Sequence, residues 1–220
     1  MKKTTFIIIS LLIASNVFSQ NWDAPEYSKG KQYKGYVILN NGDTLHGLLT
    51  AQYPADLNSK NHVSVMLSNQ TSCLFYNEQE KTTVRYKPKE LKEYMLAGRR
   101  YVSMNYNGGL AGKSKTFVLM MEDGKIGKYV YYTCKPDLMT NQGQNESKTD
   151  YYNRIYFTKT IYYREGADPV DNESIALGFK KKMSELVSDN EKLASKILNK
   201  EKGYRMLNLE KIINEYNSGS

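Results

Sequence analysis

The chain has 220 residues, of which 40% are hydrophobic and 25% charged, a composition typical of a globular protein large enough to bury its own core. Its formal net charge is +8, but the basic residues are scattered among acidic ones, which argues against a nucleic-acid-binding protein. The two histidines, His46 and His62, and the two cysteines do not have the spacing of known metal-binding motifs, so no metal or other cofactor is expected.

The first 19 residues predict a secretory signal peptide. Lys2 and Lys3 precede an apolar run at 6–13, and Ser19 is a small residue directly before the expected cleavage site. The run is too short to cross a bilayer as a helix, which takes about 20 apolar residues. We therefore expect a mature chain that begins at or near Gln20, works in the periplasm or at the cell surface, and has no transmembrane span.

Residues 20–32 are polar and are expected to form a flexible lead, and residues 33–166 predict an antiparallel β domain. Two turn sequences, Asn40-Asn41-Gly42-Asp43 and Glu122-Asp123-Gly124-Lys125, separate segments with alternating apolar residues, as in β-hairpins. Short strands at this spacing predict a meander, folded as a sandwich or as a partly closed barrel. The expected strands are 33–39, 44–51, 63–68, 73–76, 82–86, 101–106, 117–121, 126–133, 151–157 and 160–164, with a mobile loop at 136–150.

The apolar period becomes helical in the C-terminal segment 167–220. One stripe on the first helix is formed by Ile175, Phe179, Met183 and Leu186. Ser188 and Glu191 match a capping box that begins a second helix, and a third helix near 207–216 follows Gly203. Because each helix is apolar on one side only, we expect packing against the sheet, with docking onto another protein as the alternative. The predicted class is therefore α+β, an antiparallel meander followed by three C-terminal α-helices.

The segment 107–114 resembles a phosphate-binding loop but lacks two of its requirements. The motif needs a glycine at the position of Asn107 and a helix after Ser114, whereas a strand is predicted there. We expect no nucleotide binding.

Two clusters of charge precede or lie on the first C-terminal helix. Asp168, Asp171 and Glu173 could bind calcium weakly, but acids before a helix are explained at least as well by the helix dipole. The lysines at 180–182 take successive helical positions and predict a solvated face.

Tyrosine is the most distinctive residue type, with 19 Tyr against 6 Phe and 1 Trp. Several tyrosines on neighbouring strands could form an aromatic platform for sugar rings or for protein contact. Ordinary cross-strand pairing explains them as well. The candidate binding residues are Tyr129, Tyr131, Tyr132, Tyr156, Tyr162 and Tyr163, with Tyr151 and Tyr152 beside them.

Cys73 and Cys134 lie in strand-like segments. An oxidising compartment would permit a disulfide between them, and two unpaired small hydrophobic residues are the alternative.

Four stretches, 35–47, 117–133, 179–200 and 210–217, together resemble a group of uncharacterised secreted proteins of Bacteroidetes-type bacteria. The first contains GYVILNNGDTLHG and the last is EKIINEYN. The resemblance implies export and a β-rich domain with C-terminal helices. It brings no activity, catalytic residue or cofactor with it.

These patterns together predict an exported envelope protein that is a non-enzymatic binding or scaffolding module, with a glycan or an envelope protein as partner. No nucleophile elbow of the Gly-x-Ser-x-Gly type is present. The alternative is an enzyme that acts on envelope polysaccharide or peptidoglycan through carboxylates that the sequence does not pair. Two carboxyl groups about 5 to 10 Å apart in a cleft would favour that alternative.

Overall fold

The structure is a computed structural model, which describes residues 27–52, 62–106, 114–134, 143–147, 150–151 and 156–219. Several predictions fall outside these residues: the signal peptide, most of the flexible lead, the segment 107–113 and much of the loop 136–150.

One antiparallel sheet of ten strands dominates the described part of the chain. The strands are β1 (Gln32–Leu39), β2 (Thr44–Thr50), β3 (Cys73–Asn77), β4 (Thr82–Tyr86), β5 (Leu91–Leu96), β6 (Arg99–Asn105), β7 (Lys115–Glu122), β8 (Gly127–Cys134), β9 (Tyr156–Tyr163) and β10 (Val170–Asp171). Their order across the sheet is β10-β9-β8-β7-β6-β5-β1-β2-β3-β4. The predicted α+β class is confirmed, and the strands form a single open sheet rather than the two sheets of a sandwich.

Four α-helices accompany the sheet in the described residues. They are α1 (His62–Thr71), α2 (Asn172–Leu186), α3 (Glu191–Leu198) and α4 (Leu209–Ser218), and a short 3-10 helix (Met206–Asn208) precedes α4. The three helices predicted for the C-terminal segment are all present, and α1 is an additional helix within the β-rich part.

The strand predicted at 63–68 is wrong, because these residues form most of α1. The buried positions are Val65, Met66, Asn69 and Gln70, which repeat at helical spacing. Two of these four residues have amide side chains. The hydrophobic residues alone therefore did not show helical spacing, and their apparent alternation predicted a strand.

Other strands and one helix cap also differ from the predictions. Strands β5 and β10 were not predicted. The end of the strand expected at 151–157 and most of the one expected at 160–164 belong to one strand, β9, while Tyr151 lies in a helical turn. The cap of α3 is Asn190, whose Oδ1 accepts a hydrogen bond from the Leu193 amide at 3.0 Å, and not Ser188. Asn and Ser are comparable caps, so the match of Ser188 and Glu191 to a capping box did not decide between the two positions.

The sheet coils strongly on itself. Three strands lie between β4 and β5, so these two strands would be about 19 Å apart in a flat sheet. Yet residues 87–90 join them in a turn closed by a 2.9 Å hydrogen bond from Glu90 N to Lys87 O, which keeps its ends within about 7 Å. Strand β4 therefore curls back toward β5, and the face inside this coil is called the inner face below.

A pair of facing glycines permits the coil. Gly35 on β1 pairs with Gly47 on β2, on the inner face. A Cβ atom on Gly35 would collide with the carbonyl of Met95, and one on Gly47 would lie 2.8 Å from the ring of Phe75. No side chain fits at either position without moving a neighbouring strand.

The inner face carries the main core. Tyr94 and Tyr101 stack with their ring centroids 4.7 Å apart, and Phe117 meets Tyr94 edge-on at 4.8 Å. Val65 and Met66 of α1 contribute to the same cluster, and α1 packs against β7 and β8. The helix thus fills the interior of the coiled sheet.

The end of α1 ties β8 to the opposite part of the sheet. Gln70 donates from Nε2 to the carbonyl oxygen of Tyr132 at 2.8 Å, and its Oε1 accepts from the Tyr132 amide at 2.6 Å. Gln70 lies three residues before β3, which is six strand steps from β8. The side-chain amide therefore pairs with β8 as a neighbouring strand would.

The C-terminal helices form a second core against the other end of the sheet. Ile126, Tyr162 and Val170 from the β region contact the buried faces of the helices, and α2 packs on β9 and β10. The helix residues of this core include Ile175, Met183, Leu186, Leu193, Ile197, Ile212, Ile213 and Tyr216. The expected intramolecular packing of the apolar stripes is thus observed.

Replacing Gln70 tests the tie between α1 and β8. Gln70→Leu has a similar volume but leaves the amide and carbonyl of Tyr132 without this partner, so we expect a loss of about 3 kcal/mol in the free energy of unfolding. Urea denaturation measures it. The neighbouring exposed substitution Thr71→Val should change stability by less than about 0.5 kcal/mol. Equal effects of the two substitutions would contradict the proposed tie.

Replacing Gly47 tests the coil. Gly47→Ala places a methyl group against the ring of Phe75, and we expect about 3 kcal/mol of destabilisation from the forced shift of the strands. Gly178→Ala is the control, because its Cβ would meet only Lys182 Cγ at 3.7 Å. Thermal and urea unfolding compare the two variants. A Gly47→Ala protein as stable as the control would show that the inner face accommodates a methyl group at this position, which would contradict the prediction.

Candidate functional site

Side chains point alternately to the two faces of the sheet along β8 and β9, so the six candidate tyrosines are divided between these faces. Tyr129, Tyr131 and Tyr163 share the outer face, as the pairs Tyr129 with Ile161 and Gly127 with Tyr163 show. Those on the inner face are Tyr132, Tyr156 and Tyr162, all at most 8% exposed. Three candidates therefore share the outer face, although Tyr129 is itself only 6% exposed, and the other three are buried on the inner face. Tyr151 packs against the main core, and Tyr152 lies outside the described residues.

The outer-face tyrosines form edge-to-face pairs rather than a flat row. Tyr129 and Tyr163 have centroids 6.2 Å apart, and Tyr131 meets Tyr106 at 5.1 Å. Burial raises the pKa of Tyr129 to about 12, so its hydroxyl stays protonated at neutral pH. The phenol rings pack with Ile161 and neighbouring apolar side chains in a third core cluster.

A groove of about 680 Å³ lies beside this cluster. Its apolar lining comes from Leu91, Val102, Met120, Tyr129 and Tyr163. Its polar lining comes from Asn40, Lys92, Glu93, Arg100, Ser103, Lys115, Asp123, Lys125, Arg164, Glu165 and Asp189. Tyr163 is the half-buried aromatic of this lining, whereas Tyr129 is only 6% exposed.

Arg100 organises one side of the groove. Its guanidinium contacts Glu93 at 2.9 Å and Asp123 at 2.6 Å, which joins β5, β6 and the β7–β8 turn. Glu93 also accepts a hydrogen bond from the Tyr36 hydroxyl at 2.7 Å. The hydrogen bonds to Glu93 raise the pKa of Arg100 further above its usual range, so this charge is permanent.

The opposite end of the groove is built where β9 meets the turn between α2 and α3. Arg164 donates to the carbonyl of Leu186 at 2.9 Å and lies 3.7 Å from Asp189. The Tyr216 hydroxyl donates to Asp189 at 2.7 Å, and this bond lowers the pKa of the Asp189 carboxyl. The helices thus fix the charged end of the groove.

Three lysines of the lining are available to a ligand. Lys92, Lys115 and Lys125 form no ion pair within the described part of the chain, although four carboxylates line the same groove. The groove therefore presents hydrogen-bond donors and acceptors around an apolar and aromatic floor. Such a surface suits a polar ligand with many hydroxyl groups and a few charges.

The sequence did not identify most of these residues as a site. Glu93, Arg100 and Asp123 lie on separate elements, and only strand pairing brings them together. The hairpin turn predicted at Asp123 is confirmed, but a turn sequence does not indicate which guanidinium group its carboxylate will contact. The missed strand β5 also concealed the position of Glu93.

Cys73 and Cys134 are free thiols in the structure. Cys73 is buried, and burial raises the pKa of its thiol. Cys134 is partly buried and packs against the same inner-face core. The disulfide between them stays a prediction.

Two of the three acids at the start of α2, Asp171 and Glu173, have separate partners. Asp171 caps α2 by accepting from the Ser174 amide at 2.7 Å and also accepts from the Tyr106 hydroxyl at 2.7 Å. Glu173 pairs with Lys159 at 2.7 Å, and Asp168 is exposed in the loop before β10. These contacts agree with the helix-dipole interpretation.

The described ranges contain neither a metal-binding cluster nor a membrane-spanning helix. Within them, no set of three or more His, Cys, Asp or Glu side chains is arranged to hold a metal ion. His46 packs edge-to-face on Tyr36 at 6.1 Å. None of the described helices has the length and apolar character needed to span a bilayer.

Comparisons with known proteins do not add to this geometry. No protein-family model, no curated protein and no solved structure matches the chain. The groove must therefore be interpreted from its own chemistry.

The contacts of Asp171 predict a specific pH dependence of stability. Burial raises the pKa of this carboxyl, but the hydrogen bonds from Ser174 and Tyr106 outweigh it, so the net pKa is lowered in the folded state. The stabilisation is therefore complete above the unfolded pKa, near 3.9, and is lost as the pH falls through the lower folded value.

Asp171→Asn preserves a capping side chain but removes this titration. We expect the variant to lose less unfolding free energy than the wild-type protein between about pH 5 and about pH 2. Urea denaturation across that interval measures the difference. Parallel pH profiles for the two proteins would contradict the lowered pKa of Asp171.

Proposed function

We propose that the protein is an exported, non-enzymatic binding module of the cell envelope, and that its outer-face groove binds a glycan. The lysines and apolar run of the first 19 residues support export, as does the resemblance to secreted proteins of Bacteroidetes-type bacteria. The observation that carries the glycan assignment is the combination of Tyr163 with a ring of charged and amide groups around one groove.

The chemistry of the groove favours a sugar chain over a strongly charged ligand. A sugar ring has an apolar face that packs on an aromatic side chain and hydroxyl groups that need both donors and acceptors. The lining supplies Lys, Arg and Asn donors beside Glu and Asp acceptors in similar numbers. The free lysines Lys92, Lys115 and Lys125 could pair with carboxylates of a peptidoglycan or acidic polysaccharide.

The alternative of an envelope-polysaccharide hydrolase receives less support from the same groove. Glu93 and Asp123 both form ion pairs with the guanidinium of Arg100, so neither carboxylate is left free in the groove. The pKa of Asp189 is lowered by the hydrogen bond from Tyr216. A general acid needs the opposite, a carboxyl group that keeps its proton near neutral pH. Release of reducing ends from peptidoglycan that is lost in Glu93→Gln would establish the enzyme instead.

Isothermal titration calorimetry with soluble peptidoglycan fragments and with a neutral N-acetylglucosamine oligosaccharide tests the binding function. Tyr163→Ala removes the accessible ring of the groove, and we expect the dissociation constant to rise about tenfold, equivalent to about 1.4 kcal/mol.

Tyr76→Ala is the matched control. Tyr76 is also half-buried and lies on the outer face of β3, but it does not line the groove. Its replacement should leave the affinity unchanged. Absence of binding to both glycans, or equal losses in the two variants, would contradict the proposal.

A further inference from the structure

The C-terminal helices carry a second surface, separate from the groove that we propose binds a glycan. A depression of about 860 Å³ lies between α2, the end of α3 and the residues before the 3-10 helix. Its apolar lining includes Leu177, Phe179, Ile197 and Leu198. Its basic lining consists of Lys180, Lys181, Lys200 and Arg205. We call this surface, together with Met206 and Leu207, the helical patch.

The helical patch contains unusually exposed apolar side chains. Leu177 is 92% exposed and Leu207 is 99% exposed, and Leu198 and Met206 are 42% and 46% exposed. In the described part of the chain, these are four of the five large hydrophobic residues that are exposed. Leu177 and Leu198 are not core residues that failed to pack, because other faces of α2 and α3 supply fully buried residues such as Ile175 and Ile197.

The position of Leu177 in α2 accounts for its exposure. It lies two residues after the buried Ile175 and so projects from the other side of the helix. Directly after it, Gly178 interrupts α2 with non-helical φ and ψ angles of −143° and 39°. The 3-10 helix contacts α2, so Met206 and Leu207 lie on an element beside the kinked helix.

The charge of the patch has one sign. The charged residues of the lining are all Lys or Arg, and no carboxylate lines the depression. Lys181 lies 4.0 Å from Glu185, but both side chains are more than half exposed, so this pair neutralises little. The glycan groove differs, since its cations and carboxylates are similar in number and partly paired.

We propose that the helical patch docks on an anionic lipid surface, with Leu177 and Leu207 inserted among the lipids and the surrounding Lys and Arg side chains against phosphate groups. Apolar residues that project into water beside a cluster of cations are the features that bind a helix to a membrane interface. An acidic amphipathic helix would occupy the depression, but it would leave Leu207, which is not part of the lining, in water. The fully projecting leucines therefore favour the lipid surface.

Co-sedimentation of the whole protein with vesicles tests this docking. We expect binding to vesicles of phosphatidylcholine mixed with phosphatidylglycerol, much weaker binding to phosphatidylcholine alone, and release by added salt. The double variant Leu177→Ser/Leu207→Ser should weaken binding at least about tenfold, and so should Lys180→Glu/Lys181→Glu. All four side chains are exposed, so circular dichroism and melting temperature should match the wild-type protein.

Two control variants separate this surface from general charge and hydrophobicity. Met121→Ser removes an exposed apolar residue on β7, and Lys87→Glu/Lys89→Glu reverses two exposed lysines in the β4–β5 turn. Both should bind vesicles as the wild-type protein does. Equal losses in the control and patch variants would overturn the proposal. Binding of an acidic amphipathic peptide at the patch without vesicle binding would also overturn it, in favour of a protein partner.

Discussion

The bond pair between the Gln70 side chain and the backbone of Tyr132 is the constraint on which the coiled architecture depends. A primary amide offers one acceptor and a donor group in the geometry of a peptide unit, so it can pair with a strand residue such as Tyr132, which lies two positions beyond the last β7–β8 pair, Leu119 with Val130. At the end of α1 it joins β8 to the chain that enters β3. The ten-stranded sheet is open at its two edge strands, and α1 packs on its inner face.

The abundance of tyrosine is explained largely by the same architecture. Tyr94 and Tyr101 bury their rings on the inner face, and their hydroxyl groups bond to Asn69 O at 2.8 Å and to the Tyr27 hydroxyl at 2.7 Å. Tyr162 and Tyr216 repeat the arrangement with Glu210 and Asp189 on the C-terminal helices and their turn. A phenylalanine would fill the same space but would leave those polar partners without a bond.

The sequence predicted those parts of the fold in which one local signal decided the structure. The Asn-Gly step gave the β1–β2 hairpin, and the stripe from Ile175 to Leu186 gave α2. The sequence pattern did not predict α1, because buried Asn69 and Gln70 interrupt the apolar face of this helix, and it did not predict β5. The candidate tyrosines were correctly placed on neighbouring strands. However, the groove depends on Arg100 meeting partners from two other elements, which only the tertiary fold creates.

The two proposed surfaces differ in how their charges are satisfied, and this difference is the reason that we propose different ligands for them. In the groove, Arg100 is shared by two carboxylates, so much of its charge is already compensated and orientation by hydrogen bonds becomes the main source of selectivity. In the helical patch the cations have no carboxylate within the lining, and the leucines beside them are in water. Uncompensated charge next to exposed apolar surface gives attraction without a demand for one precise shape, as a lipid surface requires. A protein with both surfaces could therefore hold a glycan while resting on an anionic membrane.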